Sequence, residues 1–454
     1  MVNKTLIAAL ALAFASSAAQ AADAKNIIFF LGDGMGPATI TAARIHKVKE
    51  EGLLHFEQFE RTARIKTYSN DAQTTDSAPS MGAYMTGHKI NNDVISSAAT
   101  QFEPEKDANG NRSIARCDHT DKPYTTILEL AKAAGKSVGS ITTTELTHAT
   151  PASTFSHVCH RDMAYQIAAA IAPGGAGYNN ALGDGVDVLM GGGRNHFTPY
   201  DKAGNPKGRA DGRDLLAEMA ARGYVVATDR AQLMAARPGR KFIGIYSATS
   251  HLAYASERNA AQPTLAEMAV KSVEMLSQNP KGYFLMVEGG KIDHALHDSH
   301  ARNAVLETAA FDDAIKAVLD KVRETDPKLE HTLLVVTADH DHTMTINGYP
   351  KRGNSILDIV RNFDDGQPAR DADGKTFTTL VFGTGPNRPG QRSDVDGEVA
   401  QSHEYHQESG VRIRTETHGG GDVKLFATGA GSRAFKGTIE NTKVFDLMKA
   451  AFGF

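Results

Sequence analysis

The chain has 454 residues, 41% hydrophobic and 22% charged, with a formal charge of −4. That length suits one large domain with insertions or two domains, is ample for a sizeable core, and with this composition excludes disordered and fibrous classes. So slight a net charge argues against nucleic acid or an anionic membrane as partner, and any anion the protein handles must be drawn by local charge.

Residues 1–21 read as a secretory signal peptide, with Lys4 as the positive end, Leu6 to Ala15 as the apolar core and Ala19-Gln20-Ala21 as the small-residue cleavage site. The apolar core is too short to span a bilayer, and Ala450 to Phe454 is too short for a lipid-anchor signal. An exported protein, periplasmic or secreted and without a membrane anchor, is therefore expected. In an oxidising compartment the only two cysteines, Cys117 and Cys159, can pair, although spacing alone does not prove it.

Lys25 to Leu31 is a continuous apolar run closed by Gly32, the pattern of a strand buried on both faces, and Asp33 stands at its end. Gly34-Met35-Gly36-Pro37 then opens a helical pattern reaching Val48, with Pro37 near the first turn. Strand, acidic residue, Gly-rich turn and helix make an α/β unit whose polar tip lies on the ligand-binding edge of a sheet. Next comes Thr74-Thr75-Asp76-Ser77-Ala78-Pro79-Ser80, a loop turning into a helix, where the Ser77 hydroxyl faces free N–H groups. Alone, Ser77 reads as an N-cap; as a nucleophile it needs a base or a metal to hold its alkoxide.

The same grammar recurs. A helix is predicted over residues 124–134, a strand over 137–142, a loop over 147–151, and strands over 186–190 and 242–246. A helix over 265–276 precedes a strand at 283–287 that closes on Glu288, and a helix over 303–322 precedes one at 333–337 that closes on Asp339-His340. This alternation predicts an α/β fold with a doubly wound, mostly parallel sheet and helices on both faces, in one catalytic domain over residues 22–454. Residues 347–416 are richer in Gly, Pro, Asp and Arg, with Thr378 to Phe382 the one strand-like run before a last strand near 423–426. They read as an insertion or as a decorated surface loop.

Five clusters contain cation-binding residues: Asp33; His148 with Thr150; Glu288 with Asp293, His294 and His297; Asp339 with His340 and His342; and His418. Singly, each has an ordinary structural explanation, but their joint placement at strand ends and adjoining loops does not. Asp293 and His297 are four apart and share a face on a helical turn. Mixed imidazole and carboxylate donors suit Zn²⁺, whereas Asp33, Thr150 and Glu288 suit Mg²⁺.

Six motifs, in this order, resemble those of the alkaline phosphatases over nearly all of the mature chain. They are Gly32-Asp33-Gly34-Met35-Gly36, Thr75-Asp76-Ser77-Ala78, His148-Ala149-Thr150-Pro151, Val287-Glu288-Gly289 through Ile292-Asp293-His294, Thr337-Ala338-Asp339-His340, and Glu416-Thr417-His418-Gly419-Gly420. The resemblance implies hydrolysis of phosphate monoesters through a phosphoserine on Ser77. It implies one zinc on Asp293, His297 and His418, and a second on Asp33, Asp339 and His340 that also meets Ser77. Asp33 would bridge to a magnesium held by Thr150 and Glu288. Arg161 matches the arginine that clamps the phosphoryl oxygens, while Asp76, His148, His294 and His342 would stand just behind the ligands.

Where some bacterial members carry Asp and Lys, this chain has His148 and His294, as animal and certain other bacterial members do. Residues 347–416 resemble the animal crown, which lies near a dimer interface, so a homodimer is implied. The animal calcium site is not expected, because residues 245–249 offer no carboxylate and Gln262 stands where an Asp would be. The rivals are a phosphodiesterase or sulfatase on the same scaffold and a non-catalytic periplasmic zinc-binding protein. Against them stand the absence of Cys at position 77, the Thr150, Glu288 and Arg161 set, and the uselessness of Ser77 to a protein that only stores metal.

Overall fold

The apolar runs become the middle of a ten-stranded sheet. The computed structural model describes residues 24–98 and 122–454, with the short strands Glu105–Lys106 and Arg112–Ser113. The leader expected over residues 1–21 and Cys117 lie outside the described residues, while Cys159 is buried. In chain order the strands are β1 (Asn26–Gly32), β2 (Arg61–Lys66), β3 (Ser137–Glu145), β4 (Val188–Gly192) and β5 (Val225–Ala227). They continue with β6 (Phe242–Ile245), β7 (Tyr283–Gly289), β8 (Thr332–Ala338), β9 (Val423–Gly429) and β10 (Gly437–Glu440). Across the sheet they lie in the order β10-β2-β9-β8-β1-β7-β3-β4-β6-β5. Only β9 runs against its neighbours; all other pairings are parallel.

The helices that matter for the site are α1 (Pro37–Val48), α2 (Ser77–Thr86), α3 (Ala149–Phe155), α4 (Leu265–Leu276), α5 (Lys291–His297) and α6 (Ala301–Arg323). Successive side chains of β1 show how both faces are covered. Phe29 meets Tyr84 of α2 at 5.5 Å between ring centroids, while Phe30 meets Phe311 of α6 at 6.1 Å. A strand buried on both faces carries apolar residues at every position, which is why β1, β7 and β8 show no alternation. Truncating either phenylalanine to alanine would remove about 3–5 kcal/mol of stability.

Three strands of the ten-stranded sheet escaped the sequence reading, and each sits toward one of its edges. β2 buries only Ala63 and Ile65, while Thr62 and Arg64 face outward. β5 and β10 are short and only partly buried. The loop expected over residues 147–151 turns into helix at Ala149, with His148 in extended conformation before it and Pro151 in the first turn, where its missing N–H is harmless. Within residues 347–416, Leu380–Gly385 and Ser409–Arg412 form a three-stranded sheet with Met344–Ile346. The strand there starts at Leu380 rather than Thr378, because Thr378 Oγ1 turns back onto the Leu380 carbonyl at 2.6 Å.

Candidate active site and metal centre

Register at the carboxyl ends of the central strands assembles the site. Gly32 lies opposite Ala338, so Asp33 and Asp339 leave the sheet side by side, and Leu31 lies opposite Glu288 on the other flank. Glu288 in turn faces Thr142 of β3. Gly34, with φ of 64°, turns the chain sharply, and any Cβ there would run into the His342 ring. Asp33, Glu288, Asp339 and His340 are all 0% exposed, so this edge is buried, not a solvated rim.

Ser77 is the first residue of α2, but it does not cap the helix. Asp76 does, accepting from the Ala78 N–H at 3.2 Å. The Ser77 hydroxyl is thereby left for the site, 3.4 Å from Asp33 Oδ1 and 3.2 Å from His340 Nε2. Two further side chains fasten α2 to the end of β8: Ser80 Oγ donates to the Asp339 carbonyl at 2.6 Å and Tyr84 Oη to that of Ala338 at 2.8 Å.

Three groups of side chains could each hold a cation, their ligand atoms lying within 4.8 Å of one another. One is Asp33, Asp339 and His340; a second is Asp33, His148 and Glu288; the third is Asp293, His297, His342 and His418. Thr150 Oγ1 reaches Asp33 Oδ2 at 3.5 Å, beside the second group. A fourth group, His55 with Asp312 and Asp313, lies elsewhere, and the Lys47 ammonium already sits on both aspartates at 2.7 and 2.6 Å.

The imidazoles are aimed by their other nitrogens. A carbonyl can only accept, so His297, His340 and His418 each carry a proton on Nδ1, donated to Glu416, Asp341 and Thr75 at 2.6, 3.1 and 2.8 Å. The Nε2 atoms face inward, those of His297 and His418 being 3.1 Å apart. Glu288 Oε1, Asp339 Oδ2 and His148 Nδ1 are buried with no hydrogen-bond partner, and the ion-pair partners of Asp33, Asp293 and Asp339 are imidazoles among the described residues. Such a donor set fits bound cations.

Electrostatics point the same way. Burial, then the Asp33 charge, pushes Asp339 up to about 8 and Glu288 well above the carboxylate range. Burial opposes the charged form of His340, yet Asp339 and Asp33 raise it to about 9. Burial likewise opposes charge on Asp293, but the His297 imidazole and its neighbours hold that carboxyl well below its usual range. Carboxylates crowded this closely stay ionised together only with added positive charge.

Arg161 supplies fixed charge beside the groups. One guanidinium nitrogen is ion-paired with Asp76, another lies 3.2 Å from His148 Nε2, and the backbone N–H donates to the Asp93 carbonyl at 2.7 Å. Burial and the Arg161 charge hold His148 well below the ordinary histidine value, so it accepts as a neutral ring. His294 packs against His148 and His251, with ring centroids 5.4 and 4.1 Å away. Sequence reasoning assigned no role to Thr142 and Thr144, which hydrogen-bond Glu288, to His251, or to Glu416. The first two lie inside a strand, where only register reveals their partner. Gln262 bridges the Tyr246 carbonyl at 3.2 Å and the Ala253 N–H at 3.0 Å.

The sequence matches the alkaline phosphatase family over residues 24–454. The tissue-nonspecific alkaline phosphatases of Rattus norvegicus and Homo sapiens are each 34% identical, over 94% of this chain and 83% of theirs. The alkaline phosphatase of Gadus morhua is 34% identical over 93% of this chain and 90% of its own. Among solved structures, that of Thermus thermophilus alkaline phosphatase has a TM-score of 0.68 at 24% identity, covering 96% of this chain and 92% of that one. The enzyme of the Antarctic bacterium TAB5 has a TM-score of 0.65 at 22% identity, covering 95% and 99%. With its mostly parallel sheet and its clustered cation-binding side chains, the chain belongs to the alkaline phosphatase family.

Proposed function

We propose that this enzyme hydrolyses phosphate monoesters to an alcohol and inorganic phosphate through a phosphoserine on Ser77. The observation that carries the reading is Ser77 Oγ, released from capping by Asp76 and within hydrogen-bond reach of Asp33 and His340, while the neighbouring Asp76 is ion-paired with Arg161. Asp293, His297 and His418 would hold one zinc, and Asp33, Asp339 and His340 a second; Asp33, Thr150 and Glu288 would hold magnesium. Imidazole with carboxylate favours zinc and an oxygen set favours magnesium. A mutant of the TAB5 alkaline phosphatase, in which a histidine is replaced by aspartate, has Mg bound in its M3 site. When bound, the ions would neutralise phosphoryl charge and lower the pKa of the serine hydroxyl and of water.

This chain's own residues do the rest. Ser77 attacks phosphorus in line from the start of α2, where backbone N–H groups favour an incoming anion. Arg161 offers a planar fork to two phosphoryl oxygens while Asp76 keeps the guanidinium from swinging away. Transfer to Ser77 and then to water makes two in-line displacements, so configuration at phosphorus is retained. We further read residues 1–21 as a leader for export to the periplasm or beyond, residues 347–416 as a crown-like insertion, and the assembly as a homodimer. Among the described residues no helix is long and apolar enough to cross a membrane.

The test is hydrolysis of an aryl phosphate monoester and its diester counterpart across pH 6 to 11, before and after chelation, with zinc and magnesium restored. Chelator-sensitive monoester turnover that rises into the alkaline range and returns with both metals supports the proposal. Preference for the diester moves the function to a phosphodiesterase, and metal binding without turnover moves it to a metal-binding protein.

A further inference from the structure

One buried acid close to the histidine-rich group has no part in the chemistry above. Glu416 is 0% exposed. Its Oε2 lies 2.6 Å from His342 Nδ1, and its Oε1 accepts from the backbone N–H and hydroxyl of Thr343 at 2.7 and 2.5 Å. On the far side of the ring, His342 Nε2 lies 2.8 Å from Asp293 Oδ1. The main chain of the same residue grips His297, whose Nδ1 donates to the Glu416 carbonyl at 2.6 Å while the Glu416 N–H donates to the His297 carbonyl at 3.0 Å. Of the imidazoles in the cation-binding groups, His342 is distinctive in having its rear nitrogen on a carboxylate, where His297, His340 and His418 use carbonyls.

We infer that Glu416 is a positioning residue for the Asp293, His297 and His418 group, fixing His297 through its carbonyl and His342 through its carboxylate so that both rings face Asp293. A carboxylate behind an imidazole fixes the ring's orientation and tautomer and raises its basicity, and removing such a partner weakens metal affinity by about 10- to 100-fold. Thr343 holds the second carboxylate oxygen, so the acid cannot turn away from His342. The inference rests on the metal reading of the site given under Proposed function.

The experiment is zinc titration of the metal-free full chain against a chromogenic chelator, with counting of bound ions, for wild type, Glu416→Gln, Glu416→Asp and His342→Gln. Glu416→Gln is expected to weaken one zinc equivalent by about 10-fold or more and leave the other within about twofold. Turnover should fall at limiting zinc and recover at excess, with the melting temperature of the metal-free chain little changed. Glu416→Asp should retain more affinity than Glu416→Gln, and adding His342→Gln to Glu416→Gln should bring little further loss, because both act on one contact. Glu416→Gln that binds zinc like wild type, or losses that add fully, would overturn the inference. So would a metal-free chain that melts lower in proportion to lost activity without zinc rescue. A wild-type chain that binds no zinc instead overturns the metal reading itself, and the role of Glu416 with it.

Discussion

The Asp33, Asp339 and His340 group and the Asp293, His297 and His418 group differ in what holds them. The first stands on adjacent parallel strands, its members fixed by the pairing of Gly32 with Ala338, and it is fully buried. The second is drawn from helix α5 and the two-residue strand His418–Gly419, which pairs with Asp341–His342. Its His297 side chain remains 31% exposed and that of His418 14%, so the second group reaches the protein surface through its own side chains and the first does not. A site built on sheet register is set once the sheet folds, whereas one built from a helix end and a loop needs buried polar contacts to stay in shape.

The comparison can be broken most severely from its buried side. Ser77→Ala is expected to lower kcat by on the order of 10⁴-fold or more, as loss of a nucleophile does, with the metal count unchanged. Asp33→Ala should reach a similar loss by another route, since Asp33 belongs to two cation-binding groups, and metal counting should find both depleted. Next in size is Arg161→Ala, expected to reduce kcat/KM by roughly 10²-fold with a raised KM, less than Ser77→Ala because the other charges that attract phosphate remain. Comparable losses from Ser77→Ala and Arg161→Ala would count against that ranking.

A graded chelator series sharpens the contrast without mutation. The ion held by the partly exposed histidine group should leave first, seen as two separate phases when bound metal and activity are followed together. A single phase would erase the distinction. Loading also carries a pH signature. In the metal-free chain burial opposes charge on His297, but Asp293 raises it to about 9, and Asp293 and Glu416 do the same for His342. Zinc must displace any proton on a ring nitrogen it uses, so uptake should strengthen from pH 6 to 9 and release protons at pH 7, read by calorimetry in buffers of different ionisation enthalpy.

The smallest effect is a control on a pair that belongs to neither group. His157 and Glu129 form a largely buried pair at 2.8 Å. Burial opposes each charge, but Glu129 raises His157 above its ordinary value and His157 holds Glu129 below its own. The pair therefore stabilises fully between those ordinary values, about pH 4.5 to 6.5, and fades as pH rises through the raised His157 value or falls through the lowered Glu129 value. Glu129→Gln, which keeps the helix cap with Thr126, should lower the melting temperature by several degrees near pH 6 and by less at pH 9.

Much of this architecture was legible in the sequence. β1, β7 and β8 announced themselves as apolar runs ending in Asp33, Glu288 and Asp339, because a strand buried on both faces has no room for alternation. The helices predicted over 265–276 and 303–322 form over Leu265–Leu276 and Ala301–Arg323, the first behind a capping box of Thr264 and Glu267. What stayed hidden depends on pairing. Nothing in the order of residues says that Thr142 lies opposite Glu288, or that Glu416, two positions from His418, reaches back to His342 rather than outward. Ser77 was ambiguous for a local reason: it and Asp76 are both good helix caps, and only backbone geometry separates them.

That choice of cap reaches further. Asp76 closes the start of α2 with one oxygen, grips Arg161, and accepts from the Asp93 N–H at 2.5 Å with the other. One side chain thus ties a helix start, a guanidinium and a loop together, and under the proposed mechanism a change there would alter stability and turnover at once. Variants selected only for heat resistance should leave position 76 untouched, and a search blind to chemistry would still be led to the residue beside Ser77.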